Sequence, residues 1–200
     1  MHVSNSPPRR TQAERRATTR AALLEAAARG LSRAGYGNLI LEQVASEAGY
    51  TRGALYHQFQ GKEELALAVV EWAAATWEDE VWEPAQREPS PMAVLIALAR
   101  GHIVFCRRDV ARVMMALRME FDRREHPVGR AVRKVEKRNL GRLAEVSEAG
   151  RGDGSIPPGP PLAAALLGAI EGLAMVVAGR PHDEELAERV ARGVLGLARA

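Results

Sequence analysis

Apolar positions along this 200-residue chain recur at helical spacing almost from end to end. Leu24, Ala28 and Leu31 form one apolar stripe behind Thr11-Gln-Ala-Glu14, a capping box, and this predicts a first helix over residues 11–34, ended by Gly35. Apolar periods then predict a short helix around Val44 and Ala45, a second over 52–59, and a fourth helix from Gly61 toward Glu80, with Glu63 and Glu64 in its first turn. Pro84, Pro89 and Pro91 mark a break, after which amphipathic segments follow at 92–107, 110–124 and 128–149. The Gly/Pro-rich stretch 150–161 reads as a loop. Residues 162–178 are apolar except for Glu171, and a last helix is expected over 183–200. The pattern predicts nine helices and no strand of useful length: an all-α chain.

The turn within residues 35–62, GYGNLILEQVASEAGYTRGALYHQFQGK, narrows the reading. Small Ala45 admits a second helix close by, and Gly49, one turn later, can adopt the left-handed conformation that ends the first. Thr51 offers a hydroxyl N-cap to the next helix. Two helices joined in this way form a helix-turn-helix, whose second helix enters the DNA major groove. Arg52 then stands at the end of that helix which reaches base edges, where a bidentate contact to guanine is worth about 1–3 kcal/mol of discrimination. Gly53 and Ala54 lack bulk and let the backbone approach the groove; His57 and Gln58 are further candidates, and Leu55 and Phe59 anchor the helix inward.

The run from about Thr18 to Val69 resembles the DNA-binding domain of TetR-family (tetracycline-repressor-like) transcriptional regulators. The resemblance rests on LLEAAARGLSRAGY, LEQVASEAGYTRGALYHQF and GKEEL, and covers about a quarter of the chain. It implies an N-terminal three-helix head followed by a helical bundle for ligand binding and dimerisation. It also implies phosphate contacts from Tyr56 and Lys62. One position departs from the family pattern: Ile40 stands where Ser or Thr usually caps the second helix and touches a phosphate, and Asn38 is the nearest substitute.

Composition sharpens this picture in two places. Residues 1–62 hold nine Lys/Arg and four acids, a net of +5, while the rest hold 19 basic and 21 acidic groups, a net of −2. The positive excess thus lies where phosphates would be neutralised. A single cysteine fits a reducing compartment, and the N-terminus lacks the apolar core of a signal peptide, so a cytoplasmic location is expected. The expected organisation is a disordered basic arm at 1–10, a helix-turn-helix domain at 11–60 and a regulatory and dimerisation domain at 61–200. Arg9, Arg10, Arg15 and Arg16 could compensate for Ile40 by phosphate or minor-groove contact.

In the body, Gly168 and Gly172 form a small-xxx-small face beside Leu166, and Leu186, Val190, Val194 and Leu197 form a stripe on the last helix. Two such helices from each of two subunits predict a four-helix homodimer interface, which the resemblance also implies. Val113, Met114, Leu117 and Phe121 read as core, whereas His102, Phe105, Met115, Arg118, Met119, Glu171 and Met175 are the candidate ligand-pocket residues. Glu171 has three readings: a ligand hydrogen bond, an arginine pair across the dimer, or an internal partner. His102 and Cys106 share one helix face, but two ligands do not make a metal site, and neither metal nor cofactor is expected. A membrane span is not expected from 17 residues with a central glutamate.

These features favour a homodimeric transcriptional repressor released from a palindromic operator by a small-molecule effector. The alternative of the same fold is an activator or a ligand-independent repressor. An enzyme is disfavoured, because the chain has no Gly-rich phosphate loop, nucleophile motif or complete metal-ligand set.

Overall fold

The computed structural model describes residues 11–159 and 161–196, and all regular structure among them is helical. The basic arm at 1–10 and Leu197 lie outside the described residues. Helix α1 (Gln12–Ala34) opens on the expected capping box: Glu14 N donates to Thr11 Oγ1 at 3.2 Å, and Thr11 N donates back to Glu14 Oε2 at 2.7 Å. It closes at Gly35, whose φ is +75° and whose N–H donates to Leu31 O. Its inward face is Leu23, Leu24, Ala27, Ala28 and Leu31.

Helices α2 (Leu41–Glu47) and α3 (Arg52–Tyr56) form the helix-turn-helix. The turn is a Schellman motif. Gly49 has φ +76° and donates to Ser46 O, while Tyr50 N donates to Ala45 O at 2.9 Å. Ala45 and Val44 are buried, as are Leu55 and Phe59 from the second half of the motif. Helix α3 is shorter than the predicted 52–59. At its end a three-residue bond, Gln58 N to Leu55 O, shares its acceptor with the four-residue bond of Phe59 N, and the regular helix stops after one and a half turns.

Helix α4 (Lys62–Trp77) does not stop near Glu80. It runs on through a π-turn, Glu78–Trp82, into a final α turn, Glu83–Ala85. The N–H of Glu83 reaches back five residues to Glu78 O, and Pro84 follows at that junction, where its lack of an N–H is tolerated. Helices α5 (Pro91–Phe105), α6 (Asp109–Phe121) and α7 (Pro127–Gly152) come next. Residues 150–152 are helical, contrary to the loop expected from 150. Gly150 serves packing: a Cβ there would meet Ile156 Cδ1 at 2.5 Å, and Ile156 N donates to Gly150 O at 2.9 Å as the chain folds back.

Helix α8 (Ala163–Val177) and α9 (Asp183–Val194) complete the body. Helix α9 ends well before residue 200, with Leu195 as C-cap and Gly196 at φ +71°. It packs against α5 and α8, and α1 of the head lies along α6 of the body.

One of the predicted interface assignments changes. Leu166 is fully buried within its own subunit, so it belongs to the body's core rather than to an exposed face. On α9 the inward stripe is Asp183, Ala187, Ala191 and Leu195, because small alanines let this helix sit close to its neighbours. Leu186, Val190 and Val194 are left half-exposed on an adjoining face. Gly168 and Gly172 are exposed on α8, and a Cβ at either would touch nothing within 4 Å.

Candidate nucleic-acid interface and ligand cavity

Thr51 caps α3 as its hydroxyl accepts from Ala54 N at 3.2 Å, in the extended geometry an N-cap requires. This presents Thr51, Arg52 and Gly53 to solvent at the N-terminus of α3, with Tyr56 and His57 exposed one turn later. Ala54, Gln58 and Lys62 are partly covered. Leu55 and Phe59 point the other way, into the head's core, as expected of anchors, and the solvent side is the candidate reading face.

The charged groups of this face already have partners. Arg52 pairs with Glu42 at 3.2 Å across the turn, and its guanidinium lies 5.3 Å from the centre of the Tyr56 ring. Its side chain remains 67% exposed, and an exposed pair of this kind is worth about 0.2–1 kcal/mol, so a DNA partner can displace it. Lys62 Nζ donates to Gly37 O at 2.7 Å and stands 5.0 Å from the centre of the Tyr36 ring. It therefore braces the α1–α2 loop. Ile40 caps α2 with no side-chain hydrogen bond, and Asn38 does not take its place: its amide donates to Ala34 O at 3.0 Å, at the end of α1.

The second feature is a cavity of about 490 Å³ in the body, walled by α4, α5, α6, α7 and α8. His102, Phe105, Met115, Arg118, Met119, Glu171 and Met175 all line it. Met114 packs against the core, where Val113, Leu117 and Phe121 are buried, and also lines the cavity. Met119 and Met175 are about two-thirds exposed and flank its open side.

Several lining residues had no signal in the sequence. Trp77 ends the α portion of α4 immediately before the π-turn, and its indole N–H donates to His102 Nδ1 at 3.1 Å. Asn139 and Glu136 come from α7, whose amphipathic pattern did not say which part of its inner face meets open space.

The polar groups are specific. Arg118 bonds Glu171 at 2.8 Å and Glu136 at 3.4 Å, so of the three readings of Glu171 the internal partner is the one present within the subunit. Burial, working against the pull of Arg118, holds the Glu136 carboxyl above the usual range. Enclosure of the His102 ring lowers its pKa to about 4, and burial first, with the nearby Glu171 charge, pushes the Cys106 thiol up to about 12. Both are neutral near pH 7, and a protonated thiol is a poor redox switch. Cys106 Sγ lies 3.4 Å from His102 Nε2, and no His, Cys, Asp or Glu cluster among the described residues could hold a metal ion. Among the described residues no helix is long and apolar enough to cross a membrane.

Comparison with known proteins fits this geometry. The family model of bacterial regulatory proteins, tetR family, matches residues 23–69, which run from mid-α1 through the helix-turn-helix into α4. Over 67 residues the chain is 46% identical to the HTH-type transcriptional regulator CymR of Pseudomonas putida; the match spans 34% of this chain and 33% of that relative. SCO4454, a TetR-family transcriptional regulator from Streptomyces coelicolor, superimposes with a TM-score of 0.74 at 25% identity, covering 90% of this chain and 95% of that one. AibR in complex with isovaleryl coenzyme A and operator DNA gives a TM-score of 0.76 at 23% identity, covering 90% and 100% of the two chains. With the matched sequence seated on the capped, solvent-facing helix-turn-helix, residues 23–69 carry the sequence of the tetR family of bacterial regulatory proteins, and the fold of a TetR-family regulator extends along the body.

Proposed function

We propose that this protein is a homodimeric, sequence-specific DNA-binding repressor that leaves a palindromic operator when a small molecule fills the body cavity. The observation that carries the reading is α6. Along one helix, Met115, Arg118 and Met119 line the cavity, while Glu120 holds the Tyr36–Gly37 loop of the head. A ligand that moves α6 moves the head with it. To take operator occupancy from nearly full to nearly empty, the ligand must favour the non-binding state by about 10⁴-fold, or about 5.5 kcal/mol.

At the DNA, Arg52 exchanges Glu42 for base edges, Gly53 and Ala54 permit close approach, and Thr51, Tyr56, His57, Gln58 and Lys62 provide backbone or flanking contacts. The dimer forms through α8 and α9, which pack on each other and leave Gly168 and Gly172 exposed on the first and Leu186, Val190 and Val194 half-exposed on the second. Its two-fold axis places the two heads on half-sites about 34–36 Å apart. AibR, in complex with isovaleryl coenzyme A and operator DNA, supports the reading that this fold can carry both kinds of site.

The test is selection of the purified protein against a random double-stranded DNA library. An enriched inverted repeat, lost in Arg52→Ala, is the expected result. Salt-sensitive binding with no enriched sequence would refute a specific operator.

A further inference from the structure

The cavity's polar groups limit what it can hold, and this inference rests on the effector reading above. Four charged side chains face it, Arg112, Arg118, Glu136 and Glu171, which sum to zero. Arg118, Glu136 and Glu171 are paired with one another, and Arg112 stands largely in solvent, 59% exposed and turned to Asp109 at 3.7 Å. An anionic ligand would have to draw Arg118 away and leave Glu136 and Glu171 unpaired beside each other. A cationic ligand would enter an apolar wall with no unpartnered carboxylate to meet it. Either cost is large in a site of low polarity.

One polar atom does lack a partner. Asn139 lines the cavity, and its Oδ1 has no donor among the described residues and almost no accessible surface, so a ligand donor meets it once the side chain turns toward the open space. An unpaired buried acceptor costs about 1–3 kcal/mol, which a ligand donor would recover. His102 adds a donor. Its Nδ1 accepts from Trp77, so the ring proton lies on Nε2, whose neighbour at 3.4 Å is the weakly accepting Cys106 sulfur. The remaining wall is methionine, alanine, leucine and aromatic surface, and its volume lies in the range of about 300–1,000 Å³ that encloses drug-sized ligands.

From this arrangement we propose that the effector is an uncharged, largely apolar molecule bearing a hydroxyl group, which donates its hydrogen bond to Asn139 Oδ1. Carboxylates and amines of the same carbon skeleton are excluded by the self-paired Arg118–Glu136–Glu171 network.

The test is calorimetric titration of the full-length protein at neutral pH with 1-decanol, decanoate and decylamine, each below its aggregation limit. Decanol is expected to bind at least tenfold more tightly than either ion. Asn139→Leu is expected to lower decanol affinity about tenfold while keeping the melting temperature. Decanoate or decylamine binding as tightly as decanol overturns the proposal, as does full decanol affinity in a folded Asn139→Leu protein. Those outcomes leave the effector cavity itself standing. If none of the three binds, the cavity is not a small-molecule site, and the effector reading falls together with the proposal.

Discussion

Glu120 Oε1 accepts the backbone N–H of Gly37 at 2.8 Å, and the same carboxylate accepts Tyr36 N–H at 2.5 Å, joining the last turn of α6 to the α1–α2 loop. Gly35 makes room for this contact: its φ is +75°, and a Cβ there would stand 2.7 Å from Glu120 Oε2. On the far side Lys62 holds Gly37 O, and the Tyr36 ring packs edgewise on Phe121 and His126. One exposed loop is thus gripped by both the head and the body.

Glu120→Ala should remove two charge-assisted hydrogen bonds worth about 1.5–3 kcal/mol each, less what water restores. In hydrogen exchange, the amides of Tyr36 and Gly37 should lose protection while those of α5 keep theirs. Unchanged exchange at the two amides would show that the carboxylate does not couple head and body.

Ile40→Thr should strengthen the head. Ile40 already has the extended backbone of an N-cap, at φ −109° and ψ 118°, and is 48% exposed, so a hydroxyl can be installed without disturbing the core. The gain in thermal stability should be about 1 kcal/mol. Operator affinity should rise at the same time, with the salt dependence unaltered because a hydroxyl releases no counterions. A stabilised protein with unchanged DNA affinity would remove the phosphate contact from this position.

Gly172→Arg probes the dimer. The position is exposed and its Cβ direction is open within the subunit, so the fold and helix content should survive. Placed against a second copy of α8, an arginine would force the helices apart. Sedimentation should report a monomer, and affinity for the inverted repeat should collapse with it. A dimer of wild-type strength would move the interface away from α8.

Asp183 governs acid stability. Arg107, just past the end of α5, grips it with two bonds of 3.0 and 2.6 Å, and Gly179 N–H adds a third at 2.7 Å. The Arg107 bonds, against the opposing effect of burial, hold its carboxyl down to about 2. The folded pKa lies below the unfolded value of about 3.9, so the stabilisation is complete above that value and is lost as pH falls toward 2. Asp183→Asn should lower stability at neutral pH by about 1.5–3 kcal/mol and flatten the decline between about pH 4 and pH 2. An unflattened acid limb in chemical denaturation would exclude Asp183 as its source.

The sequence by itself determined what depends on near neighbours. The capping box of α1, the left-handed Gly49, the Thr51 cap and the Leu55/Phe59 anchors involve residues within a turn of one another, so their spacing is their geometry. The same locality makes the helical period of the body readable, with Met115 and Met119 on the cavity side of α6.

Tertiary structure decided what depends on residues far apart in the chain. Lys62 and Glu120 meet the same loop from positions 25 and 83 residues away, and no local pattern announces it. Gly150 looked like a loop glycine until Ile156 folded back on it, and Leu166 looked like interface until the body closed over it. The cavity's polarity was hidden for the same reason. A helix pattern says which side faces inward, but only packing decides whether that side meets another side chain, as Leu117 does, or open space, as Asn139 does.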